Sequence, residues 1–128
     1  MSYKTSKIWT GSEWAGIAVA VADSQQKTIG NSAATALTLS TSDATNAFVF
    51  SSNSSITVTI PTNADQSFLI GQTFLVFQNG TGVITFSAAS GVTLRSKSSY
   101  VKTAGQYSEV RLIKIATNEW LLSGDLSS

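Results

Sequence analysis

Seven carboxylates are the only side chains here that pair readily into acid–base chemistry, because the sequence contains neither histidine nor cysteine. Without those two residue types the usual Ser-His-acid and Cys-His nucleophilic systems are excluded, as are zinc sites built from imidazole and thiolate ligands. What remains is a glycosidase-type arrangement, in which two carboxyl groups face each other across a sugar bond. Glu13, Asp23, Asp43, Asp65, Glu109, Glu119 and Asp125 are scattered along the chain, mostly beside turn residues, where charged side chains are ordinarily solvated. Asp43 and Asp65 lack the dense oxygen-ligand spacing of a calcium loop. Gly80-Thr81-Gly82 precedes an alternating apolar run, whereas a phosphate-cradling loop needs a helix N-terminus. The residues therefore assign no catalytic group, no metal and no cofactor, and the expected class is not an enzyme.

Binding is the chemistry left to consider. Arg95, Lys97 and Lys102 are the nearest approach to a basic patch, with Tyr100 and Tyr107 close by in sequence. Such a mixture binds nucleic acid or glycans through phosphate neutralisation and ring stacking. A solvated loop is the plainer reading, since long cationic side chains are ordinarily exposed, and contact with a neighbouring subunit comes next. With a net charge of +1 and only 12% charged residues, the chain lacks the basic excess of a nucleic-acid binder. Trp9 and Trp14 flank Thr10-Gly11-Ser12-Glu13, which has the composition of a short hairpin loop. Their rings either complete a local core or anchor the arm on another subunit. The candidate partner-contact residues are Trp9, Trp14, Arg95, Lys97, Tyr100 and Lys102.

The elements that must position these residues read as strands. Short apolar alternations recur over residues 36–39, 47–50, 55–60, 72–78, 83–87, 92–95, 109–116 and 119–123, separated by Gly, Asn and Ser. Pro61 cannot donate to a ladder and fits a strand terminator. Asn79-Gly80-Thr81-Gly82 predicts a tight hairpin, with glycine supplying a positive backbone angle. No long amphipathic helical stretch is available for crossovers, so the pattern favours an all-β fold, an antiparallel β-sandwich or jelly-roll-like barrel. The division is an N-terminal hairpin arm and linker over 1–35 and a β-sandwich module over 36–128. Residues 18–35 mix small residues in a way that leaves helix, strand and linker unseparated. The apolar run 15–22 is too short to span a membrane, which takes about 20 apolar residues, and its interrupted approach argues against a cleaved signal. No membrane partner is expected.

At 128 residues, with 42% hydrophobic residues, the chain can bury one real core and is not of disordered composition. Ser55-Ile56-Thr57-Val58-Thr59-Ile60-Pro61, Ile70-Gly71-Gln72-Thr73-Phe74, Gly82-Val83-Ile84-Thr85-Phe86, Gly91-Val92-Thr93-Leu94, Leu112-Ile113-Lys114-Ile115 and Trp120-Leu121-Leu122-Ser123-Gly124-Asp125 form a linked series. The series resembles a β-module found repeatedly in virion proteins of tailed bacteriophages, on head fibres, capsid decorations and tail fibres. The segment Ile8-Trp9-Thr10-Gly11-Ser12-Glu13-Trp14 is similar to the tryptophan-bounded hairpins that begin such modules. The resemblance implies a structural role on the virion surface. The expected function is a capsid decoration or cement subunit, or a short head fibre, binding the major capsid protein or another virion subunit, with the arm as attachment device. The alternative is a tail-fibre or receptor-binding module that recognises a host surface glycan. The chain has no shaft, collagen-like run or coiled-coil heptads, unlike long fibres. A homotrimer is expected from the resemblance and from the many strand edges on a weakly charged surface.

Overall fold

The computed structural model describes residues 29–41 and 46–128. Trp9, Trp14 and the arm hairpin read from them lie outside the described residues. Among the described residues eleven strands follow one another: β1 (Ile29–Ser32), β2 (Ala36–Thr38), β3 (Ala47–Phe50), β4 (Ile56–Ile60), β5 (Thr73–Gln78), β6 (Ile84–Ala88), β7 (Thr93–Ser96), β8 (Lys102–Thr103), β9 (Glu109–Ala116), β10 (Glu119–Gly124) and β11 (Leu126–Ser127), with one 3-10 turn at Lys97–Ser99. Six of them form one sheet in the order β1-β3-β5-β9-β10-β7, and five form the other in the order β11-β8-β6-β4-β2. The fold is all-β, with two packed sheets in a sandwich.

The sheets are mixed, where antiparallel pairing was expected. β1, β3 and β5 run parallel in the first sheet, and β2, β4 and β6 run parallel in the second. Parallel neighbours need a long crossover, usually supplied by a helix. Here a strand of the opposite sheet supplies it, because the chain switches sheets at every step from β1 to β9. The first half is thus a short two-sheet solenoid. Antiparallel pairing enters with β8, which joins β6 in the second sheet, and with β9, which joins β5 on one side and β10 on the other in the first.

The same arrangement corrects the hairpin at Asn79–Gly82. β5 and β6 belong to different sheets, so this segment is an arch from one layer to the other. It stacks on the arch between β3 and β4: Asn79 N–H donates to Phe50 O at 2.8 Å, Gly82 N–H to Ser52 O at 3.0 Å, and Ile56 N–H to Val83 O at 2.9 Å. The Asn53 side chain joins the two, its Oδ1 accepting from both the amide and the hydroxyl of Thr81 at 3.1 Å. A third arch lies on the other side, where Ser51 N–H donates to Ser32 O at 2.8 Å and Thr57 N–H to Thr35 O at 3.0 Å. Gly80 does not sit at positive φ. Its need for glycine comes instead from the closeness of the stacked backbones, since a Cβ there would meet Ser51 O at 2.6 Å.

Between the sheets lies one core. Phe48, Phe50, Phe74, Val76, Val110, Leu112, Trp120 and Leu122 face inward from the first sheet, and Ile56, Val58, Ile60, Ile84 and Phe86 from the second, all buried. Alternation along each strand accounts for this, as in the buried-exposed-buried pattern of β4. Aromatic rings link through the core: Phe68 meets Phe74 and Trp120 edge-on, with centroids 5.3 and 5.6 Å apart. Among the buried polar side chains, Gln78 and Thr103 pair with each other. Gln78 Nε2 donates to Gly80 O at 3.1 Å, while its Oε1 accepts from the Thr103 hydroxyl, whose oxygen accepts from Ile84 N–H at 3.0 Å. This closed set ties the β5–β6 arch to β8, and its completeness offsets the cost of burying polar atoms.

Candidate interaction site

The basic group divides among three surroundings. Arg95, on β7, forms an ion pair with Glu119 of β10, so its charge is neutralised locally. Lys102 lies on β8 in the second sheet, opposite Thr85 and Ser127. Lys97 and Tyr100 alone come together, on the wall of a cleft of about 430 Å³ that Leu121, Ser123 and Leu126 help to line. Ser98 and Ser99 beside them adopt left-handed backbone, with φ of 60° and 59°, a conformation costing L-residues roughly 1 kcal/mol each. The cleft is lined by leucines, one tyrosine, one lysine and two serines. That chemistry suits a small amphipathic or anionic group.

Two of the described carboxylates take up structural tasks. Besides Glu119, Asp125 Oδ2 accepts from Glu109 N–H at 3.2 Å, and Asp65 is exposed in the turn after β4, its amide donating to Thr62. Glu13, Asp23 and Asp43 lie outside the described residues.

A larger surface was missed by inspection of charge and aromatic residues. Phe74, Val76 and Gln78 of β5 point into the core, so Leu75 and Phe77 point to the opposite face of the first sheet. Register places Val49 beside Phe77, Ala47 beside Leu75, and Ile113 beside both Thr73 and Leu121. Val49, Leu75, Phe77 and Ile113 are half-buried, and Leu121 and Ile115 are exposed. Tyr107 stacks on Phe77 with ring centroids 6.3 Å apart. The outer face of the six-stranded sheet is thus substantially apolar, interrupted by Arg111 and Glu109. A signal was present in the sequence: Phe74-Leu75-Val76-Phe77, Leu112-Ile113 and Trp120-Leu121-Leu122 are continuous apolar runs, and such runs mark strands covered on both faces.

The loop 61–72 carries two further exposed apolar side chains. Leu69 and Ile70 are 81% and 65% exposed at its tip. It is held by Lys114, whose Nζ donates to Asn63 Oδ1 at 2.6 Å and Phe68 O at 2.7 Å, and whose carbonyl accepts from Gly71 N–H at 2.8 Å. A lysine only 2% exposed on the inward face of β9 is thereby satisfied without an acidic partner among the described residues, its stem packed along the core. No family model and no curated protein matches this chain.

Proposed function

We propose that this protein is a non-enzymatic structural module of a tailed-bacteriophage virion, a decoration or cement subunit or a short head fibre that acts by binding the shell. The observation that carries the reading is the second apolar face, spanning Val49, Leu75, Phe77, Ile113 and Leu121 on a sheet whose other face already fills a core. Apolar area of this kind gains free energy when a neighbour covers it. A ligand that binds only the assembled shell stabilises that state by mass action. Homotrimerisation brings copies of the face or of the strand edges together at a virion surface. The phage assignment itself rests on the resemblance of the linked strand motifs.

Leu75→Lys tests the surface. The expected variant keeps the circular dichroism spectrum and thermal midpoint of the wild type within about 3 °C, because position 75 points away from the core, a surface change usually worth under about 0.5 kcal/mol. It loses at least tenfold in binding to purified particles or in self-association. Undiminished binding and association by the folded variant would remove this face from the account.

The alternative, a fibre-tip module recognising a host glycan, is favoured by the cleft at Lys97 and Tyr100. An aromatic ring beside a cation and hydroxyls is the chemistry of a saccharide seat. Tyr100→Ala separates the two readings, since it should leave particle binding intact and abolish cell binding only on the alternative.

A further inference from the structure

β7 stops short of its neighbour. It runs alongside β10 only as far as Ser96, which lies beside Leu122, and the chain then leaves the sheet through the turn at Lys97–Ser99. β10 continues to Gly124 before the chain crosses to β11 in the other sheet. The cleft of about 430 Å³ lies where these two segments part. Lys97, Ser98 and Tyr100 line it from the turn, and Leu121, Leu122 and Leu126 from β10 and β11.

Three observations mark the turn side as a recognition surface. Lys97 has no acidic partner among the described residues, in contrast to Arg95 two positions earlier. Ser98 and Ser99 hold left-handed backbone at φ of 60° and 59°, a strain that persists at ligand clamps where the surrounding structure imposes it. Ser96 shares the inward face of its sheet with Leu122, and its hydroxyl oxygen is buried without a hydrogen bond, one of two such side-chain atoms among the described residues. Buried polar groups are ordinarily paired.

We propose that this cleft binds an amphipathic monoanion, a carboxylate at the end of a medium-length hydrocarbon chain. The Lys97 ammonium takes the carboxylate, with the Ser98 hydroxyl donating beside it, and the hydrocarbon lies against Leu122, Leu126 and the Tyr100 ring. Leucine side chains gain free energy by covering hydrocarbon, whereas the hydroxyl-rich body of a sugar facing them loses hydrogen bonds to water. An ammonium without a partner favours a charged head over a neutral one, because charge-assisted hydrogen bonds are the stronger kind. The volume is that of a small-molecule pocket. This occupant goes beyond the shell-binding reading and does not depend on it, since the cleft and the outer apolar face are separate surfaces that share only Leu121.

Titration of the isotope-labelled full chain with decanoate, below its micellar range, is expected to give saturable amide shifts at Ser98, Tyr100, Leu122 and Leu126. Lys97→Met keeps most of the exposed stem and removes the charge, so it should weaken decanoate about tenfold, the loss expected for one charge-assisted hydrogen bond. Decanol should bind the wild type correspondingly less well than decanoate. Lys102→Met, which removes an exposed lysine from the second sheet, should leave decanoate affinity unchanged. Undiminished affinity in Lys97→Met, or shifts confined to Leu75, Phe77 and Ile113 on the outer face, would overturn the proposal. Saturable cleft shifts with glucuronate and none with decanoate would overturn it in favour of the saccharide. Leu75→Lys bears on the shell reading alone, because Leu75 does not line this cleft.

Discussion

Gly82→Val is expected to lower the thermal unfolding midpoint by roughly 10 °C, the largest effect predicted for any single arch position. A Cβ at residue 82 would overlap the Ser54 carbonyl oxygen and lie 2.8 Å from Ser52 O. Both are backbone atoms of the arch stacked against it, so no side-chain rotation relieves the clash. Forcing extra atoms into such a contact costs typically 1–3 kcal/mol, and each kcal/mol moves the midpoint by about 4 °C in a domain of this size. Gly80→Val acts in the same direction for the same reason, through Ser51 and Ser52. Differential scanning calorimetry of the purified variants reads the effect. Wild-type midpoints in both would mean that the arches do not approach as closely as the hydrogen bonds between them require.

Lys114→Ala is expected to cost about 2–4 kcal/mol, from the lost stem packing together with the carbonyl and amide oxygens left unpaired beneath loop 61–72. Lys114→Met separates those contributions. It keeps most of the stem and removes only the ammonium, so its cost should be smaller, with the remainder expressed locally. Hydrogen exchange should show faster exchange at Gly71 and Gln72, whose amides donate to Lys114 O and Leu69 O, while β4 and β6 stay protected. Equal destabilisation by Ala and Met, with uniform exchange across both sheets, would contradict the role of Nζ as the tether of this loop.

The positions of strands were legible because a two-residue period survives in single strands: residues 47–50 and 109–116 match β3 and β9, and 55–60 brackets β4 by one residue. Sheet membership was not. Alternation tells which side chains share a face, and says nothing about which strand lies alongside. Asn79-Gly80-Thr81-Gly82 suits a hairpin and an interlayer arch equally, since glycine serves positive φ in one and close backbone approach in the other. β1 came from the stretch whose small residues left its state open, and its place in the sheet is set by pairing with β3. Lys97 and Tyr100 were recognised and do share a cleft, yet the chain turns of β7 and β8 carry Arg95 and Lys102 elsewhere. Lys114 was visible as one polar residue in the inward row Val110, Leu112, Lys114, but its acceptors, Asn63 and Phe68, are 51 and 46 residues away. The outer apolar face was written in the continuous runs of β5, β9 and β10.

The central proposal, that the protein acts as a bound component of a virion shell, is tested most directly by its copy number in purified, salt-washed particles produced by the strain that carries its gene. Quantitative mass spectrometry with isotope-labelled peptides is expected to find it in amounts comparable to the major capsid protein. Absence from washed particles would contradict a virion role, and a handful of copies per particle would contradict the shell assignment in favour of the fibre-tip reading.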